Sequence, residues 1–161
     1  MSRDRYIRLI EEFCALTKLD EPARIMQGGA VEFDDIPFSL LYSDKINPGA
    51  LLVYCEFGAL PPGQDSDALR VLLQKNLLLF DGGGAPAFAM SGTGKILRAQ
   101  RLMLADAKAQ QLFDLLADIA EKAKQWRKDY RMGMPAQGAA PSQRHRRPAR
   151  FAAAQPQSSS D

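Results

Sequence analysis

Histidine is nearly absent from this 161-residue chain, which has one, His145. That residue lies in a stretch whose composition does not support folding, so the part able to fold has none. Ser–His and Cys–His nucleophile pairs, histidine general bases and the common zinc sites all need an imidazole held in a structured pocket. Those chemistries are disfavoured, and only a carboxylate or lysine enzyme stays open. Cysteine is scarce as well. Cys14 and Cys55 are too few for a disulfide framework or a zinc site and read as reduced core side chains. Long apolar runs are missing: the longest, Ala50 to Cys55, is too short to span a bilayer, and the opening MSRDRYIRLIEE is charged where a signal peptide is apolar. A cytosolic location is expected.

What is present fits one globular domain, with 46% hydrophobic and 25% charged residues. The net charge of +2 hides an asymmetry. Residues 1–130 carry 16 Lys and Arg against 18 Asp and Glu, whereas residues 131–161 carry 5 Arg against Asp161 alone. From Met132 onward four prolines, seven alanines and a single aromatic, Phe151, cannot bury enough surface to offset chain entropy. The expected organisation is a domain over 1–130 and a disordered basic extension over 131–161.

Within the domain three segments have helical periodicity. In the first, opened by Ser2 as a cap, Tyr6, Leu9, Ile10, Phe13 and Leu16 follow one face until Asp20-Glu21-Pro22. The second runs from Asp65 or Ser66 to Phe80, with Gly82-Gly83-Gly84 as its stop. In the third, from about Asp106, Ala109, Leu112, Leu116, Ile119, Ala123, Trp126 and Tyr130 make a three-four stripe closed by Gly133 and Pro135. Strand alternation marks Val31 and Phe33, then, after a break at Asp35 to Pro37, Phe38, Leu40 and Tyr42. Leu51 to Phe57 follows the turn Asn47-Pro48-Gly49, and Pro86 to Met90 is joined by Ser91-Gly92-Thr93-Gly94 to Lys95 to Leu104. The order α-β-β-β-α-β-β-α with hairpin-length connections predicts an α+β fold, a mostly antiparallel five-stranded sheet with three helices.

Few motifs carry chemistry. SGTGK at Ser91 to Lys95 resembles a phosphate-binding loop, but Ala89 and Ile96 replace the required glycine and hydroxyl, and a strand follows where a helix is needed. It reads as a turn. The acidic pairs Asp34-Asp35, Asp65-Asp67 and Asp114-Asp118 fit a strand-to-turn break, a helix start and a solvated helix face, with Asp118 pairing Lys122 and Glu121 pairing Lys124. No metal is expected. The basic Arg144 to Arg150 could meet nucleic acid or an acidic partner, and more simply is a solvated tail. The second helix is harder to place. Leu69, Val71, Leu72, Leu73, Leu77, Leu78, Leu79 and Phe80 occupy too wide an arc for one core-facing stripe, with only Arg70, Gln74 and Lys75 marking a polar side. Either the helix is buried within its own chain or its second apolar face packs on another subunit; the second reading implies a homodimer.

The element order, together with Asn76-Leu77-Leu78, the glycine run, Phe88, the turn and Ile96-Leu97, resembles the Tir chaperone (CesT) family of type III secretion. VEFDDIPFSLLYSD at Val31 to Asp44 is similar to that family's first hairpin, and the closing helix with Trp126 to its last. The resemblance covers residues 3–130. It implies a small homodimeric chaperone of the bacterial cytoplasm that binds the N-terminal chaperone-binding segment of a secreted effector and keeps it export-competent, with neither catalysis nor cofactor. By the same resemblance Leu69, Leu72, Leu73, Leu77 and Phe88 are candidates for the dimer interface, and Ile7, Ile10, Phe38, Leu40, Leu102 and Met103 for effector binding. The alternatives are a nucleic-acid-associated regulator using the basic tail and an adaptor within the secretion machinery.

Overall fold

The computed structural model describes residues 2–60, 62–63, 65–80 and 85–132. The extension expected over 131–161 therefore lies, apart from Arg131 and Met132, outside the described residues, as do Gly82-Gly83-Gly84, Gly133 and Pro135.

The elements are α1 (Ser2–Thr17), α2 (Pro22–Met26), β1 (Val31–Phe33), β2 (Ile36–Tyr42), β3 (Ala50–Ala59), α3 (Asp65–Leu79), β4 (Ala87–Met90), β5 (Lys95–Met103) and α4 (Ala109–Asp129). The strands form one sheet in the order β1-β2-β3-β5-β4, and every neighbouring pair is antiparallel. After β3 the chain crosses through α3 to the far edge and returns as the β4–β5 hairpin, so β5 is inserted beside β3.

Two local readings are corrected. A fourth helix, α2, begins where the first was expected merely to end: Pro22 has its fixed φ and lacks an N–H, which suits a first helical turn. Its Ile25 is buried, and the chain leaves it through Gly29, whose N–H donates to the Arg24 carbonyl at 2.8 Å. The break placed at Asp35 to Pro37 is instead a two-residue turn at Asp34 and Asp35, both left-handed at φ 51° and 61°. Paired positive φ is the geometry that follows strand twist, and Asp tolerates it. Pro37 thereby belongs to β2, opposite Glu32.

Inward residues Ile36, Phe38 and Leu40 of β2, Leu51, Val53, Cys55 and Phe57 of β3 and Ile96 of β5 are buried. Over them pack Tyr6, Leu9, Ile10, Phe13 and Cys14 of α1 and Leu112, Leu116, Ile119, Ala123 and Trp126 of α4. Leu16, expected on the same face of α1, is half exposed near the helix end. The predicted stripe of α4 is realised, and Trp126 sits between Phe57 and Tyr130 at ring distances of 6.0 and 4.9 Å. A bulge shifts the β3 register between Glu56 and Gly58. Arg127 of α4 covers it, donating from Nε to the Phe57 carbonyl at 2.7 Å and from Nη2 to the Glu56 carbonyl at 3.2 Å. Polar pairing follows expectation for Asp118 with Lys122, but Lys124 reaches Asp34 at 2.9 Å rather than Glu121, joining the helix to the β1–β2 turn.

Candidate functional site

The helix α3 has three distinct sides. Ala68 and Leu72 are buried beneath it, and Asn76 on the same side binds the edge strand β4, donating to the Phe88 carbonyl at 2.9 Å and accepting the Phe88 N–H at 2.7 Å. One flank carries Leu69, partly buried, then Leu73, Leu77 and Phe80, which are 68%, 77% and 77% exposed. With 3.6 residues per turn these positions form a continuous stripe. The other flank carries Val71, Lys75 and Leu78, of which Lys75 lines a gap opposite Lys122 and Gln125 of α4 and Leu78 is exposed. The excess apolar arc seen in the sequence is thus a real feature of the surface. Of the candidates for a dimer interface, Leu73 and Leu77 are on the open stripe and Leu69 is at its base, whereas Leu72 and Phe88 are already buried within the chain.

The two sheet edges differ. At β4, the outward amide and carbonyl of Phe88 are taken by Asn76. At β1, the Glu32–Pro37 pair cannot exchange two backbone bonds, because Pro37 has no N–H, so the Glu32 N–H and carbonyl point off the sheet. Helices cover one sheet face. Alternation places Leu41, Leu52, Tyr54, Leu97, Ala99, Ala87 and Ala89 on the other, in register across four strands. Leu41 and Met103 are exposed, and Leu52, Tyr54 and Leu97 are half-buried.

This arrangement corrects half of the effector-binding candidates. Ile10, Phe38 and Leu40, nominated by the resemblance, are fully buried between α1 and β2, because their places on the apolar stripe of α1 and on the inward positions of β2 belong to the core face. They offer no surface. Ile7 and Leu102 are partly buried at the margin of the core, and Met103 is exposed.

Sequence reasoning missed Arg98. It occupies an inward position of β5, opposite Cys55, and is 5% exposed. Its Nη2 donates to Gln100 at 2.9 Å, while Nε and Nη1 are buried with no hydrogen-bond partner among the described residues. Burial lowers its pKa from the ordinary value, against the charge of Asp118. The period-two alternation Ile96, Arg98 could have revealed an inward cation. Burial also pushes the Cys55 thiol up to about 12, so it stays protonated. The SGTGK segment is a closed turn: the Ser91 N–H donates to the Lys95 carbonyl at 2.8 Å, and Lys95 Nζ holds Glu56 at 2.7 Å. Among the described residues no group of three His, Cys, Asp or Glu could hold a metal ion, and no helix is long and apolar enough to cross a membrane.

The model of the Tir chaperone protein (CesT) family matches residues 8–127, from the first turns of α1 almost to the end of α4. The chain belongs to the CesT family. Among solved structures, the type III secretion chaperone SycH of Yersinia pestis, in complex with a stable fragment of YscM2, is 26% identical with a TM-score of 0.55, over 74% of this chain and 98% of that one. A chain of the HopA1–SchA chaperone–effector complex is 18% identical with a TM-score of 0.58, over 77% of this chain and 94% of that one. A chain of the ExsC–ExsE complex is 19% identical with a TM-score of 0.59, over 79% of this chain and 94% of that one. These last two show likeness of fold. Among curated proteins none is similar enough to match. The Asn76-Leu77-Leu78 segment lies within the matched stretch and supplies both the clamp on β4 and part of the open stripe.

Proposed function

We propose that this chain is a non-catalytic type III secretion chaperone of the bacterial cytoplasm, acting as a homodimer that binds the N-terminal chaperone-binding segment of a secreted effector. The observation that carries the reading is the CesT match over residues 8–127. The surfaces described above suit it. Leu69, Leu73 and Leu77 are evenly spaced about Leu73, so two copies of α3 crossing antiparallel at Leu73 would place Leu69 of one against Leu77 of the other. A self-complementary patch of this kind is what a two-fold interface requires. Phe80 extends it at either end.

The effector segment is then taken up in extended form. Its backbone pairs with the outward groups of β1, and its apolar side chains meet the open sheet face and the margin around Ile7, Leu102 and Met103. Affinity comes from burying that apolar surface while the segment stays unfolded and ready for export. Nothing in this mode calls for a cofactor or a reacting group.

The test is co-expression with the proteins encoded beside its gene, followed by pull-down and light scattering. Two copies of this chain holding one copy of a neighbour-encoded protein is the expected mass. A partner-free monomer that binds RNA with steep salt dependence would replace the chaperone reading with that of a nucleic-acid regulator using the basic tail.

A further inference from the structure

Between α3 and α4 the helical layer has a gap, and the gap is a pocket of about 290 Å³. Lys75 and Leu79 of α3, Lys122 and Gln125 of α4, Pro86 and Phe88 at the β4 edge, Arg98 of β5 and Met132 line it. Three cations meet an apolar floor here. Lys122 is held by Asp118 at 2.7 Å, but Arg98 is the reverse of a surface charge, 5% exposed with Nε and Nη1 unpartnered among the described residues. Burying a guanidinium with two unfilled donors is costly even with the charge of Asp118 nearby, and a carboxylate in the fork offsets part of that cost. The geometry points to a subsite for an acidic side chain of the bound effector, an Asp or Glu flanked by apolar residues, with its carboxylate on Arg98 and Lys75 and the neighbouring apolar groups on Leu79, Phe88 and Met132.

Other occupants fit less well. At about 100° per residue, Leu73 and the pocket residues Leu79 and Lys75 lie about 120° and 160° apart around α3. A second copy seated on the Leu69–Leu73–Leu77 stripe therefore leaves the pocket open. The chain's own residues beyond Met132 bring four arginines and one acid, Asp161, the wrong charge for a cationic pocket. An acidic partner segment complements both the charge and the apolar walls. The subsite deepens the chaperone reading, since it supposes a bound effector segment, and adds a sequence preference to a surface otherwise governed by hydrophobic burial.

The full chain, titrated with the peptide acetyl-Leu-Glu-Leu-amide and watched through the Arg98 Nε–H resonance, tests it. The glutamate peptide shifts that resonance, and acetyl-Leu-Gln-Leu-amide binds at least about tenfold more weakly, as a charge-assisted hydrogen bond is lost. Lys75→Gln and Arg98→Met each weaken the glutamate peptide while leaving the glutamine peptide unchanged; Lys75→Gln, at a partly exposed position, keeps the comparison valid should Arg98→Met not fold. Equal affinity for the two peptides, or an Arg98 signal moved as far by inorganic phosphate, would each overturn the subsite. Failure of the peptide series while a neighbour-encoded effector still co-purifies would remove this subsite and leave the chaperone function standing.

Discussion

The side-chain amide of Asn76 binds the backbone of Phe88 at both its N–H and its carbonyl, at 2.7 and 2.9 Å, as a neighbouring strand would. An edge strand of four residues is thereby closed at its centre and fastened to α3. Asn76→Ala removes two part-buried hydrogen bonds and leaves both backbone groups unpaired, with an expected loss of about 2–3 kcal/mol. Asn76→Asp keeps the acceptor but sets a carboxylate against the Phe88 carbonyl, and is expected to be at least as damaging. Urea unfolding of the three proteins measures this. A change below about 0.5 kcal/mol in both variants would show that the clamp adds nothing to stability.

How far the sequence could be read follows from the kind of signal each feature leaves. The stripe on α4 and the surplus of apolar positions on α3 are periodicities within one segment, and both are found in the structure. Pro22 and Pro37 are ambiguous in the sequence, because proline marks a helix start or an edge-strand position as readily as a stop, and only the neighbouring geometry decides. The resemblance that nominates Ile10, Phe38 and Leu40 for binding identifies apolar positions of the fold without separating the core face from the surface, and these three are buried. The insertion of β5 between β3 and β4, and with it the meeting of Arg98, Lys75 and Lys122, depends on pairings between distant segments, for which a single sequence carries no local mark.

Leu73→Asp tests the role of the α3 stripe. The side chain is 68% exposed in the isolated chain, so its replacement is expected to alter the stability of the monomer fold by no more than about 0.5 kcal/mol. In a two-fold pair crossing at Leu73 the two new carboxylates face each other. Light scattering is expected to show the mass of one chain where the parent gives two, with an unchanged circular dichroism spectrum. A dimer that survives both Leu73→Asp and Leu77→Asp would place the interface elsewhere.

Trp126 lies at the centre of the core with no exposure, and its Nε1 has no hydrogen-bond partner among the described residues. Trp126→Ala opens a large cavity, at an expected cost of about 3–5 kcal/mol. Trp126→Phe should be much milder than its loss of volume suggests, because removing an unpaired buried donor returns about 1–3 kcal/mol. Thermal unfolding of both variants separates the two contributions. Equal losses for Phe and Ala would mean that the indole N–H is satisfied in solution, by a bound water for instance.

Cys55 makes the fold sensitive to alkali. Its thiol is raised by burial from an ordinary value of 9.0 to about 12, so between these values the unfolded chain gives up a proton that the folded chain keeps. Stability falls with pH wherever the unfolded state binds fewer protons, and the contribution, fully present below pH 9, is lost progressively as pH rises towards 12. At pH 10.5 the loss from this one group is about 2 kcal/mol, at 1.36 kcal/mol per pH unit. Tyr6 and Cys14 are raised by burial too and slope in the same direction, so the test must be differential. Cys55→Ala forfeits packing at pH 7.5, but the gap between it and the parent is expected to narrow by about 2 kcal/mol at pH 10.5 as the parent alone loses the buried thiol's contribution. Parallel urea curves for the two proteins across that range would mean that the thiol ionises in the folded chain as readily as in the unfolded one, and that water reaches the β3–β5 interior beside Arg98.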